Sequence, residues 1–298
     1  MHEYTGELAS LLVAVFWTIT ALAFEKASIR IGSLSLNLIR LVMGFFFLSV
    51  FALIRRGLFL PTDADGFNWV WLAISGLIGF VFGDLFLFKS YTLIGSRFAM
   101  LIMTLAPPIA AIAGWIALGE TLSWLSITGM VLTMSGISLA IFNRNEGKKG
   151  ISMKLSVKGF LFAFLGAAGQ GIGLVLSKYG MAEYDPFAAT QIRLIAGIVG
   201  FAVLTTYMGR WTKVIQATRN RQGMSAAALG SFFGPFLGVS FSLLAVKYTE
   251  TGIAATIMAI VPILIIPPAI IFNKEKVKMM EVVGSLISIG GISLLFLS

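Results

Sequence analysis

Ten stretches of about twenty mostly apolar residues fill almost the whole chain, and no other feature limits its fold so strongly. They run over 7–24, 34–54, 67–88, 98–118, 124–142, 157–176, 187–208, 225–245, 252–272 and 279–297. A helix needs about 20 such residues to cross the hydrocarbon core of a bilayer. Only 12% of the residues are charged, and the mean hydropathy is +0.94. Soluble domains carry about 25% charged residues. So little polar surface does not cover a water-facing globule of this size, which makes the bilayer the solvent. The expected fold class is therefore all-α integral membrane, with ten transmembrane helices. Polar clusters at 55–66 and 143–154 and a tight turn at 119–121 separate the runs, and no segment is long enough for a soluble domain. The first run lacks a basic flank before it and a small-residue cleavage site after it, so it is read as a retained helix.

The chain has no Cys, and its one His is His2. That removes thiolate metal sites, disulfides and most acid–base dyads. The expectation is no metal, no cofactor and no enzymatic activity. The net charge of +9 sits mainly in the short connections. It is read as a topological signal and not as a nucleic-acid footprint.

An internal repeat divides the chain. Ile39-Arg40-Leu41 recurs as Ile192-Arg193-Leu194, a shift of 153. Pro107, Glu120, Gly129 and Gly136 recur as Pro262, Glu275, Gly284 and Gly291, each shifted by 155. Tyr91-Thr92 resembles Tyr248-Thr249 across a two-residue gap. The expected units are 1–145 and 146–298, five helices each. With an odd number of spans per half, the second half enters the membrane upside down, which is an inverted repeat. Basic residues favour the cytoplasmic side. Fourteen of the 22 Lys and Arg residues lie in the odd-numbered connections and four in the even-numbered ones. The bias puts both termini outside a cell membrane, the inner one where there are two.

The order of these residues carries a family resemblance. Trp17 lies in an aromatic-rich first helix, Arg40 in the second and Tyr91-Thr92 before the fourth. Pro107, Leu118-Gly119-Glu120 and a Gly-rich fifth helix follow, and the second half repeats the pattern through Arg193, Tyr248-Thr249, Pro262, Glu275 and Gly284. This resembles the EamA domain of the drug/metabolite transporter superfamily, across nearly the whole chain. The resemblance implies a ten-helix transporter around a central cavity, moving metabolites such as amino acids. Two departures stand out. Asn273-Lys274-Glu275 replaces the second Leu-Gly-Glu, and typical members have cytoplasmic termini.

Polar groups inside spans are costly unless they face a cavity or a partner. Arg40 and Arg193 are candidates for a substrate carboxylate, with an ion pair or snorkelling as the structural alternative. Asp84 is the only acidic residue well inside a span, and Val239 takes its place in the repeat. It is a candidate for proton coupling, or else for an ion pair with Lys89 or Arg97. Asn37, Gln170, Gln191 and Ser240 are candidate cavity polar groups. Trp17, Tyr91 and Tyr248 are candidate contacts to an apolar substrate body. Pro107 and Pro262 are read as mid-span kinks with a gating role. Gly129, Gly136, Gly284, Gly290 and Gly291 are read as packing surfaces, and the Gly169-Gln170-Gly171 stretch as helix packing, not a nucleotide fingerprint.

The leading expectation is a monomeric secondary carrier that moves small organic molecules, by export, through alternating access. A membrane-embedded enzyme on lipid-linked substrates, a channel or a sensor stand as the alternatives.

Overall fold

The computed structural model describes residues 4–87, 89–90, 93, 102–143, 157–264, 267 and 279–297. Among these, every regular element is a helix. In the first half, α1 (Thr5–Ile31) and α2 (Ser33–Arg56) meet at Gly32. Gly32 adopts φ +78°, a left-handed value that lets a single residue reverse the chain. Asp65 and Asn68 form a capping box that starts α3 (Gly66–Leu87). Next come α4 (Ala106–Leu118) and α5 (Trp124–Asn143). The second half holds α6 (Val157–Met181) and α7 (Pro186–Tyr207), the latter capped by Asp185 with Pro186 in its first turn. After these come α8 (Trp211–Thr218), α9 (Arg221–Tyr248), α10 (Thr251–Met258), α11 (Val261–Leu264) and α12 (Met279–Leu295).

Six of these, α1, α2, α3, α6, α7 and α9, are long and apolar enough to cross a membrane, and α4, α5 and α12 contain shorter apolar helices. The fourth and ninth expected spans, at 98–118 and 252–272, lie partly outside the described residues. The short α8 was not foreseen in the sequence.

The solvation pattern is that of a bilayer protein. Ile54, Val157, Val203 and Leu286 are exposed, while Asn37, Ser49, Thr190, Gln191 and Arg193 are buried. Apolar side chains face lipid at no cost, and polar ones must find partners inside.

The halves are related in three dimensions as well as in sequence. A π-helical segment at Leu77–Gly83 within α3 recurs at Phe232–Gly238 within α9, shifted by 155. Between halves the contacts are exchanged as a two-fold relation requires. Gly83 lies against Gln170 and Gly238 against Trp17; Gly79 lies against Gly173 and Gly234 against Thr20. On the pseudo-axis, α5 and α12 cross at Thr133 and Ser288. Each hydroxyl there donates to the other's backbone carbonyl, at 3.5 and 3.1 Å. Gly136 and Gly291 leave no room for a side chain at this crossing, whereas Gly290 faces open space and is not a packing surface. The start of α1 and the end of α6 share one end of the molecule, because Glu7 and Lys178 both bond Thr249. The halves therefore run in opposite senses.

The prolines correct an expectation. Pro107 does not kink a continuous helix. The chain breaks at Thr104-Leu105, and Pro107 lies in the first turn of α4, where its missing N–H is not needed. The equivalent break falls at Ala259-Ile260, with Pro262 in α11. Leu105 N donates to Ile102 O at 3.0 Å and Ile260 N to Ile257 O at 3.3 Å, the same bond in each half.

Candidate functional site

Where the halves meet, a cavity of about 360 Å³ is lined by α1, α2, α3, α4, α6, α7, α9, α10 and α11. Helical spacing determines which residues reach it. Trp17, Thr20, Ala21 and Phe24 form one stripe of α1, and Phe80, Asp84 and Leu87 one stripe of α3. Across from them stand Gln170, Gly171 and Leu174 of α6, then Gly234, Pro235, Val239 and Ser242 of α9. The π segments matter here. An inserted residue shifts the register of the helix and commonly marks a functional site. Asp84 and Val239 each follow one directly.

Three charged groups line the cavity among the described residues: Arg40, Asp84 and Arg193. Arg40 Nη2 donates to Asp84 Oδ2. Gln170 Nε2 donates to Asp84 Oδ1 at 2.9 Å and lies 3.3 Å from Gly79 O. The partner of Asp84 is thus Arg40 on α2. Lys89, proposed for that role from sequence, sits over the Phe162 ring, and Arg97 lies outside the described residues. Arg193 is 5% exposed and stands over the Phe80 ring at 4.9 Å. No carboxylate among the described residues pairs with it, and its Nε has no hydrogen-bond partner.

Trp17, Arg40, Asp84, Pro107, Gln170 and Arg193 are brought together in this lining. Asn37, Gln191, Ser240 and Tyr248 are not. Gln191 donates to Ser49 Oγ at 2.8 Å and Phe59 O at 2.7 Å, tying α7 to α2 and to the connection after it. Asn37 and Ser240 are buried in helix packing, and Tyr248 is exposed at the end of α9. Tyr91 and the Pro262 side chain lie outside what is described.

Sequence reasoning missed a polar network at the end of the molecule that holds the even-numbered connections. Glu120, after α4, accepts from Lys178 Nζ at 2.6 Å, Thr251 N at 2.9 Å and Thr251 Oγ1 at 2.8 Å. Lys178 also donates to Thr249 O at 2.7 Å. Arg55 pairs with Asp185, Arg56 with Asp63 and Lys247 with Glu183. Tyr184 donates to Asp63 at 2.8 Å. Burial opposes the charged form of Asp63, but the Tyr184 hydrogen bond and the Arg56 charge prevail and hold it below its ordinary value. Burial, with Asp63 beside it, pushes the Tyr184 phenol up to about 12. The clues in the sequence were Glu120, a marker of the repeat, and Lys178, a basic residue at the end of the sixth apolar run.

The sequence pattern of the EamA-like transporter family matches residues 4–142 and again residues 157–297. No curated relative matches the chain. Among solved structures, one described only as a crystal structure of a protein superposes with a TM-score of 0.74. That likeness covers 97% of this chain and 95% of the other at 17% identity, and it speaks to the fold alone.

Proposed function

Because the chain belongs to the EamA-like transporter family, a multi-pass branch of the drug/metabolite transporters, we propose that it is a secondary carrier of small organic metabolites working by alternating access. The observation that carries this reading is the cavity. It lies between two oppositely running halves and holds charged groups away from water, while at one end of the molecule a polar network around Glu120 ties α4, α6 and α10 together. Exchanging the conformations of two inverted halves would open that end and close the other. The π segments and the breaks before Pro107 and Pro262 lie at matching places in both halves, where such a motion needs pliable backbone. One carboxylate lines the described cavity, and Arg40 and Gln170 already hold it, which favours carriage over acid–base chemistry.

In this reading both termini lie outside the cell membrane, export is the direction of use, and one chain is the working unit, since two halves in one chain complete the cavity. Asp84 couples transport to protons: protonation would free Arg40, and deprotonation would restore the pair. Asp84→Asn is then expected to abolish pH-driven accumulation while sparing exchange, and unchanged accumulation would remove the coupling role.

Counterflow tests the carrier itself. Proteoliposomes loaded with mixed small metabolites should transiently accumulate labelled compounds from outside without an ion gradient. Flux through folded protein with no counterflow overshoot would mean a channel instead.

A further inference from the structure

In the first half, two donors hold one carboxylate: Arg40 and Gln170 both bond Asp84. The second half repeats the donors and lacks the acceptor. Arg193 recurs at the Arg40 position and Trp17 at the Gln170 position, each at a shift of 153; the Arg193 guanidinium lies over Phe80 and against Gly79 of α3. Val239 takes the place of Asp84, at a shift of 155. The correspondence is one of contact as well as of number. Gly83, just before Asp84, lies against Gln170 Nε2, and Gly238, just before Val239, lies against Trp17 Nε1. All six residues line the same cavity.

The consequence is an unbalanced charge. Arg40 and Asp84 neutralise one another, while Arg193 is buried with no anion among the described residues and with its Nε unbonded. No acceptor among the described residues meets the Trp17 indole N–H either. A buried guanidinium without a counter-ion is costly, and an incoming anion removes that cost. Much of the remaining lining is apolar, including Phe24, Phe80, Met103, Leu174 and Met258.

Resting on the carrier reading, we infer that the cavity selects a monocarboxylate with an apolar body. Its carboxylate takes the place in the second half that Asp84 takes in the first, accepting from Arg193 and from the Trp17 indole. A free amino acid fits poorly. Its ammonium group would meet Arg40 and Arg193, and the lining carboxylate described is already engaged. A neutral analogue can still accept from Arg193 but leaves its buried charge without a counter-ion.

The test uses the full chain in lipid nanodiscs, titrated calorimetrically with 3-phenylpropionate, its neutral amide, phenylalanine and phenyl phosphate. The carboxylate should bind about tenfold or more tightly than the amide, as expected for hydrogen bonds to a charged group. Arg193→Met should erase that preference. Because removing a buried Arg also endangers folding, Val239→Asp is the decisive variant. It places an acid where the first half has one, so Arg193 gains an internal partner and 3-phenylpropionate binding should be lost from a monodisperse protein of undiminished melting temperature. Equal binding of acid and amide, unchanged binding in a folded Val239→Asp variant, or tighter binding of phenylalanine or phenyl phosphate would each overturn the inference. Counterflow separates this from failure of the carrier reading. Neutral metabolites exchanging while carboxylates do not would sink the inference alone. Carboxylate binding without counterflow would sink the carrier alone.

Discussion

Glu120 joins three stretches of chain through one carboxylate, accepting from Lys178 on α6 and twice from Thr251 at the head of α10. Gly114, one turn back on α4, leaves room for it, since a side chain there would collide with Glu120 Oε2. Removing one member of this half-buried pair leaves the other short of a partner. Glu120→Ala is therefore expected to destabilise the protein by about 1.5–3 kcal/mol, the range for hydrogen bonds to a charged group. Glu120→Gln should cost less, because an amide oxygen still accepts from Thr251. Denaturant unfolding in detergent micelles measures both, and equal losses would show that the charge pairing with Lys178, lost in both variants, matters and the bonds from Thr251 do not. Tyr184 makes a prediction about pH. Its pKa is raised in the fold, to about 12. The stability it adds is fully present below the ordinary phenol value, near 10, and is lost as pH rises through the folded value. Ultraviolet titration should show a tyrosine ionising at about 12, and that step should disappear in Tyr184→Phe.

At the scale of elements, the contact between α3 and α6 is built on backbone. A side chain on Gly169 would lie 2.8 Å from the Gly83 Cα, and one on Gly173 would lie 3.0 Å from the Gly79 Cα. The π segment of α3 is pressed directly against α6, so an added methyl has no flexible neighbour to displace. Overpacking of this kind costs about 1–3 kcal/mol, so Gly169→Ala should lower the melting temperature clearly. Gly290→Ala, in open surroundings on α12, should not lower it and is the control. Equal behaviour of the two variants would mean that α3 and α6 separate readily. The glycine-rich stretch around Gln170 thus serves two ends at once: it admits α3 to close approach, and it delivers the amide to Asp84.

For the molecule as a whole, the open question of topology meets a convenient property of the chain. It contains no Cys, so single-cysteine variants report on sidedness without background. Thr62→Cys sits in the connection between α2 and α3, and Thr212→Cys in the short α8 of an odd-numbered connection. An impermeant maleimide applied to intact cells should label the first and spare the second. The reverse pattern would place both termini inside and overrule the distribution of basic residues.

Hydropathy determined where most of the helices run and that the solvent is lipid, and the recurrence of Arg, Pro, Glu and Gly at fixed shifts determined that the chain is doubled. Each of these is a local sum or a recurrence, and neither needs to know how a helix is rotated about its axis. The six long helices fall on runs read from the sequence, and the family match covers both repeats. Rotation and partnership were decided by the tertiary structure. In a bilayer, apolar side chains serve both the lipid face and the core, so the stripe that tells a soluble helix which way to turn is nearly erased. Asn37, Gln191, Ser240 and Arg193 consequently look alike in the sequence, yet only Arg193 lines the cavity. The pairing of Asp84 with Arg40 and the network around Glu120 arise from close approach of distant helices, and the two π segments are seen only in the fold. Only when the halves come together do Val239, where the repeat lacks its acid, and Arg193 line one cavity.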